Sequence, residues 1–438
     1  MAKRLTRYIL IALVLGVIAG WAINAAIDDG TPASAERLAS IAGYLSIVTS
    51  LFLRLIKMII APLVFSTLVA GIAHMGDVAA LGRVGLRSLI WFIGASLVSL
   101  TLGLILVNTL QPGVGLGLPI PPTDAASGVE TAAFNLKDFV THLVPASIFE
   151  AMSGNEILPI VIFSLFFGVA LTAIGDAGRP IVKGVESLVK VMLQITDYVM
   201  RFAPFAVFTA VTSAIAERGP EIIATFGKFV GSFYLGLAIL WALLIGAAFV
   251  VVGARTRHLV RYIRDPIVLA FSTASSEAAY PRTLEALDRF GVPPRIASFV
   301  LPLGYSFNLD GSMMYMTFAT IFIAQAYGIS LNFGQEMTML LVMMLTSKGM
   351  AGVPRASLVV IAATLGMFKI PEAGLLLILA VDHFLDMGRS GTNVIGNAVA
   401  ASVVARWEGA LKPEGPPEVD TRHAPSHVEQ RGEVHDHF

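Results

Sequence analysis

The 438-residue chain contains no cysteine, which excludes disulfides, thiolate catalysis and cysteine-ligated metals together. Charge is scarce as well: Asp, Glu, Lys and Arg supply 14% of the residues, against about 25% in soluble domains. The 30 basic residues balance 30 acidic ones, and this zero net charge gives no electrostatic footing for nucleic-acid binding. Histidine is thin before the C-terminal tail, where only His74, His142, His258 and His383 occur, none of them in a catalytic motif.

What is present is apolar. Hydrophobic residues make up 56% of the chain and the mean hydropathy is +0.78. Uncharged runs such as Ile9 to Ile27, Leu89 to Asn108 and Phe229 to Val252 reach the ~20 residues that a helix needs to cross a bilayer. In lipid a single segment can satisfy its own backbone only as a helix, so these runs predict an all-α polytopic membrane protein. Eight candidate spans fall near residues 9–27, 43–73, 85–109, 145–175, 186–215, 224–253, 296–325 and 372–405. Lys3, Arg4 and Arg7 ahead of the first run match a signal peptide as well as a first helix, but the run is long for cleavage and reads as a retained helix.

Basic residues gather in alternate short loops, as the positive-inside rule expects. Arg83 and Arg87 follow the second span and Arg255, Arg257, Arg261 and Arg264 follow the sixth, while intervening loops carry Asp28, Asp29, Asp124 and Glu130. Both termini are then expected in the cytoplasm.

Two apolar stretches, 266–292 and 335–366, do not fit this parity as full crossings. Each has small or polar residues at its centre, Ser272 to Glu277 in one and Thr346 to Pro354 in the other. They are either ordinary crossings with a glycine or serine kink, or re-entrant helical hairpins. Two extra crossings would reverse the seventh span, so charge parity favours hairpins. Non-helical backbone at membrane depth must be buried in protein or line a wet cavity, which places such tips at a site. From Lys412 onward the chain turns polar, with His423, His427, His435 and His437. Irregular spacing makes this a disordered tail rather than a metal site, and 409–438 is assigned to it.

The last span carries Asp382, Asp386, Arg389, Asn393 and Asn397 at helical spacing. On a helix they share a stripe about 80° wide and about 22 Å long. A charged side chain at mid-membrane costs about 2.5 to 3.5 kcal/mol or more, so such a stripe is expected to face protein or water and to mark function. An internal Asp386–Arg389 pair at i,i+3 would account for part of it, but not for Asp382 or the amides. The seventh span carries Asn308-Leu309-Asp310-Gly311, where glycine beside short polar residues favours unwinding and freed carbonyl oxygens. Carboxylate and carbonyl oxygens suit a small cation; the alternative is that Asp310 caps a broken helix.

Enzyme readings are weaker. Gly388-Arg389-Ser390-Gly391 matches a short intramembrane serine-protease pattern, and Asp310 with Asp382 would suit an aspartyl dyad. A serine nucleophile needs a base within reach, and no histidine is placed for it in the sequence. A channel with polar hairpin tips forming its filter is the other competing class.

These residues resemble the dicarboxylate/amino acid:cation symporter family over about residues 5–408. The likeness is carried by Arg54-Leu55-Ile56-Lys57-Met58 with Pro62, the Ser275-Ser276 tip, and Pro302-Leu303-Gly304 leading to Asn308-Leu309-Asp310-Gly311. The Ala351-Gly352-Val353-Pro354 tip and Asp386-Met387-Gly388-Arg389-Ser390 with Asn393 complete it.

The resemblance implies eight transmembrane helices, two re-entrant hairpins, inverted repeats and a homotrimer in a bacterial inner membrane. It implies a transporter domain over 1–408, with scaffold helices mainly in 43–73 and 145–215 and a moving unit mainly in 258–408. Transport would be elevator-like, with the second tip as the extracellular gate and no cofactor beyond a coupling ion, H+ and/or Na+. Substrate would be held by Ser275, Ser276, Gly352, Val353, Asp386, Arg389, Ser390 and Asn393. Coupling falls to Glu277, Gly304, Asn308, Asp310, Asp382, Asn393 and Asn397, with Na+ at Asn308, Asp310 and Asp382.

Within such a family Asp386 would receive a substrate ammonium and Arg389 a side-chain carboxylate, which favours glutamate or aspartate. Beside a dianion alone an unpaired Asp386 would be repulsive. Glu277 and the Thr392-Asn393 pair resemble the C4-dicarboxylate branch, so succinate, fumarate or malate is the second expectation. Asn397 stands where sodium-coupled relatives have an aspartate, and Phe92, Ala95 and Ser96 where they have a hydroxyl-rich patch. These departures count against full sodium stoichiometry and open a proton-coupled alternative with Glu277 as the carrier. Arg355 beside the second tip receives no role from this reading.

Overall fold

A computed structural model describes residues 2–73, 78–115, 121–122, 137, 141, 143–219, 226–347, 356–379 and 381–413. Every regular element among them is helical. The N-terminal part comprises α1 (Ala2–Ile27), α2 (Pro32–Ala73), α3 (Val78–Leu110), α4 (Ile148–Gly154), α5 (Ile157–Ala173), α6 (Arg179–Met200), α7 (Ala203–Arg218) and α8 (Gly227–Val252). Then come α9 (Thr256–Thr273), α10 (Tyr280–Phe290), α11 (Pro294–Phe307), α12 (Asp310–Ala326), α13 (Phe333–Thr346), α14 (Ala356–Met367), α15 (Leu375–Leu379) and α16 (Asp382–Trp407).

Four helical runs are long and apolar enough to cross a bilayer unaided: Arg7–Ile27, Pro32–Ala73, Gly82–Leu110 and Gly227–Thr273. The other expected spans are present as broken helices, and two of the breaks have a local cause. Asn155 takes a left-handed conformation, φ 53°, between α4 and α5, which short polar side chains tolerate better than most. Between α6 and α7 the axis bends by 50°. Pro204 in the first turn of α7 has no amide hydrogen with which to continue α6. The span expected at 296–325 divides at Asn308 and Leu309, and the last one divides between α15 and α16.

The stretch at 266–292 forms a hairpin of α9 and α10, which pack on each other around a tip at 274–279. Ala274 closes α9 in the left-handed region, φ 48°, a conformation that costs a non-glycine residue about 1 to 2 kcal/mol. Its amide and that of Ser275 donate to the Phe271 and Ala270 carbonyls, so the turn caps the helix it ends. The arms α13 and α14 of the second expected hairpin also touch. Its tip, with Gly352, Val353 and Arg355, lies outside the described residues, as does the histidine-containing tail.

Two packing groups emerge. Helix α1 lies along α7, and α2 packs against α5, α6 and α7. In the other group α16 is wrapped by α8, α9, α11 and α12, and α3 lies along α12. The groups meet where α11 touches α2 and α5, and where α9 touches α1 and α7. An ion pair also crosses there, from Arg282 of α10 to Asp197 of α6 at 2.8 Å. Tyr44, Leu51 and Met58 on α2, and Phe166 on α5, are exposed large apolar side chains. That is the expected outer face of a bilayer protein.

At the connection between α1 and α2, Asp29 accepts from the Thr31 hydroxyl at 2.6 Å and the Thr31 amide at 3.0 Å. These hydrogen bonds, the Thr31 hydroxyl first, hold its carboxyl down at about 2.

Candidate functional site

All five polar residues of the stripe lie on α16, and four of them are buried: Asp382, Arg389, Asn393 and Asn397. Asp386 is the exception, with a side chain 41% exposed. Arg389 Nη2 donates to Asp382 Oδ1 at 3.0 Å and lies 3.0 Å from Asp386 Oδ1. Its guanidinium also sits over the ring of Tyr315, 4.1 Å from the centroid. The Tyr315 hydroxyl in turn donates to Asp382 Oδ1 at 3.0 Å. Two carboxylates and an aromatic face therefore hold the cation at a depth where an unpaired charge would be costly.

Arg389 Nε is buried and has no hydrogen-bond partner. The cluster thus keeps one charged donor unused, next to a carboxylate that is reachable from outside. A ligand with a carboxylate and a nearby ammonium would satisfy both at once.

Further along α16 a second group forms around the break between α11 and α12. Asp310 is fully buried and accepts from Ser99 of α3 at 3.2 Å and from Asn308 Nδ2 at 3.1 Å. Asn308 Nδ2 also reaches Asn397 Oδ1 at 3.3 Å. Asn308 Oδ1 and Asn397 Nδ2 are left without partners. A buried orphan oxygen beside a buried carboxylate calls for an occupant, and oxygen donors of this kind suit a small hard cation.

Close approach of α16 to this break depends on glycines. A methyl group on Gly396 would overlap the Asp310 carboxylate, and one on Gly304 would overlap the Asn397 side chain. Gly311 remains helical, so it does not cause the unwinding that its sequence position suggested. Its part is steric, since an added Cβ would come within 2.6 Å of the Arg389 carbonyl oxygen. Asn393, one turn beyond Arg389 on α16, accepts from the Gly311 amide at 2.9 Å and donates to Ser312 at 3.3 Å.

The sequence assigned Asn308, Asp310 and Asp382 to one Na+ position, and the packing separates them. Asp382 belongs with Arg389 and Tyr315, whereas Asp310 abuts Gly396. Residues 382 and 396 are separated by about 21 Å of ideal helical rise along α16.

Residues 5–407 match the sequence profile of the sodium:dicarboxylate symporter family. This chain belongs to that family. It is 39% identical over 411 residues to a proton/sodium-glutamate symport protein of Bacillus caldotenax, covering 93% of this chain and 95% of that one. It is 39% identical over 408 residues to a proton/glutamate-aspartate symporter of Escherichia coli, covering 91% and 92%. A C4-dicarboxylate transport protein of Laribacter hongkongensis is 38% identical over 365 residues, 82% and 83% of the two chains. Both substrate branches expected from the sequence are thus among the relatives of this symporter-family chain, and the family and these relatives are transporters rather than enzymes.

In this family member the first tip is tied to α11 by Tyr305, whose hydroxyl donates to the Ser276 carbonyl at 3.0 Å. Ser275 Oγ accepts from the Ala278 amide at 3.2 Å, so that hydroxyl shapes the tip. Glu277 follows in a short 3-10 turn and is half-buried. Ser390 is buried on α16 beside Arg389.

Sequence reasoning missed Tyr315, Ser99, Trp241 and Gly396. Trp241 of α8 donates to Thr392 at 2.7 Å and Tyr234 to the Phe384 carbonyl at 2.6 Å, fixing α16 from behind. Helix α3 is also less bare than its Phe92, Ala95 and Ser96 suggest. Ser96 reaches the Phe307 carbonyl at 3.4 Å, and Ser99, one turn further on, reaches Asp310. The available signal was a set of serines on one face of an apolar helix.

Proposed function

We propose that this protein is a secondary symporter for glutamate and aspartate, coupled to H+ and/or Na+. The carrying observation is the Arg389 cluster, a buried guanidinium with an unused Nε–H next to the partly exposed carboxylate of Asp386. The glutamate symport named for the relatives supports the same reading.

An acidic amino acid would exchange partners with an existing pair. Its side-chain carboxylate takes the Arg389 guanidinium, its ammonium takes Asp386, and Asp382 with Tyr315 keeps Arg389 in place. The serine tip, the second tip at Gly352 and Val353, Ser390 and Asn393 complete the pocket. The coupling cation belongs at Asn308 and Asp310, with Asn397 and the Gly304 backbone beside it. Glu277 is assigned to carry a proton. The group containing α16 and both hairpins, joined by α3 and α8, moves past the group containing α2, α5, α6 and α7, in an elevator-like cycle within a homotrimer. Both termini are assigned to the cytoplasm and the protein to a bacterial inner membrane.

The C4-dicarboxylate reading keeps one specific support, the C4-dicarboxylate transport relative at 38% identity. Uptake into proteoliposomes decides between them. Radiolabelled glutamate, aspartate and succinate are offered under separate Na+ and H+ gradients. Concentrative glutamate uptake is expected; uptake of succinate alone rejects the amino-acid assignment. Mere equilibration of every substrate identifies a channel instead.

A further inference from the structure

Away from both clusters, a cavity of about 630 Å³ opens between α2, α6, α10, the start of α11 and the segment after α16. That volume lies within the range of about 300 to 1,000 Å³ common for small-molecule sites. Its wall is apolar where Ala70, Val189, Leu193 and Leu284 line it. Ser298 also lines it, is 2% exposed, and has a hydroxyl with no hydrogen-bond partner.

Three cations from three different elements face the same space: Lys190 of α6, Arg295 of α11 and Lys412 after α16. All three are exposed, and none forms an ion pair among the described residues. Lys412 is not adrift, because its amide donates to the Gly291 carbonyl at 2.9 Å. The acids nearby are already engaged. Glu285 is held by Arg282 at 3.0 Å and Arg289 at 3.9 Å, and Glu186 and Asp288 also have interaction partners.

We propose that this cavity binds one anionic glycerophospholipid, with its phosphate among Lys190, Arg295 and Lys412 and an acyl chain along the apolar wall. Basic pockets between membrane helices at the cytoplasmic side select such headgroups, and the apolar wall favours a lipid over free phosphate. Resting on the elevator reading above, the consequence is regulatory. The lipid touches α2 and α6 on one side and α10 and α11 on the other, so it holds the two groups together and slows turnover.

Native mass spectrometry of the full-length protein, purified with phosphatidylglycerol or phosphatidylcholine, tests the site. Wild type should retain one phosphatidylglycerol and no phosphatidylcholine. Lys190→Gln/Arg295→Gln/Lys412→Gln should reduce the retained lipid by about tenfold or more. Arg257→Gln/Arg261→Gln/Arg264→Gln, on the basic segment elsewhere, should not. Val189→Trp keeps all three cations and sets an indole across the apolar wall where the acyl chain would lie, and it should lose the lipid too. Equal retention of both lipids overturns the proposal, as does unchanged retention in Val189→Trp, an equal loss in the Arg257 triple variant, or displacement by millimolar inorganic phosphate. Retention is read without transport, so failure here leaves the symport assignment standing, and failed uptake leaves the lipid site standing.

Discussion

Helix α16 carries two polar clusters that solve the same problem differently. Around Arg389 opposite charges meet, with one guanidinium shared by the two carboxylates of Asp382 and Asp386 and backed by the Tyr315 ring. Around Asp310 the hydrogen-bond donors are the neutral Ser99 hydroxyl and Asn308 amide, and an amide oxygen is left over. The first cluster is built to exchange one ion-pair partner for another, which suits a zwitterionic substrate. The second, under the proposed coupling, would offer its oxygens to a small cation. Asn393, one turn beyond Arg389 on α16, bonds the start of α12 beside Asp310, so one helix carries both clusters.

The most disruptive test of this contrast is Arg389→Ala. It removes the guanidinium proposed to bind the substrate and leaves two carboxylates facing each other, and breaking a buried pair in this way costs about 3 to 5 kcal/mol. Titration calorimetry should show glutamate affinity falling more than about 100-fold. Affinity within a few-fold of wild type in a well-folded variant would take Arg389 out of the site.

Asp386→Ala comes next, since it deletes a charge-assisted contact to ammonium worth roughly 1.5 to 3 kcal/mol, or about tenfold to 100-fold in affinity. Succinate, lacking the ammonium, should lose much less. Parallel losses for both substrates would mean that Asp386 only orients Arg389.

Asp310→Asn attacks the second cluster while sparing the first. The cation concentration for half-maximal uptake should rise by about tenfold, with glutamate affinity at saturating cation little changed. If the Na+ and H+ dependences both match wild type, the cation belongs elsewhere.

Tyr315→Phe keeps the ring under the guanidinium and deletes only the hydroxyl on Asp382. A loss of about 0.5 to 1.5 kcal/mol is expected, a few-fold in glutamate affinity. No change would show that Asp382 needs no help in holding Arg389.

The smallest effect concerns a residue far from both clusters. Asp29 titrates at about 2, below the ordinary carboxylate value of 3.8. A depressed carboxyl contributes stability that is full above its unfolded value and is lost as pH falls towards 2. Thermal melts of wild type and Asp29→Ala should therefore differ slightly near pH 6 and converge near pH 2, whereas a constant difference would contradict the assignment.

The stripe on α16 was legible because five polar residues at spacings of three and four can only share a face. The first hairpin was legible for a different reason, since charge parity favoured it over a full crossing. The break at Asn308 was found at the right place, but Gly311 proved to matter for helix contact and not for unwinding.

Sequence alone determined that the chain lies in a membrane, that α16 holds a one-sided charged stripe, and that Asp310 sits at an interruption. Those are properties of single segments, fixed by the scarcity of charge and by helical periodicity. Only the tertiary structure decided which groups meet. Ser99 reaches Asp310 across 211 residues of sequence and Tyr315 reaches Asp382 across 67, and no local pattern encodes such pairings. It also separated Asp382 from Asp310, because residues that each look like cation ligands in sequence are kept apart when the straight rise of one helix lies between them.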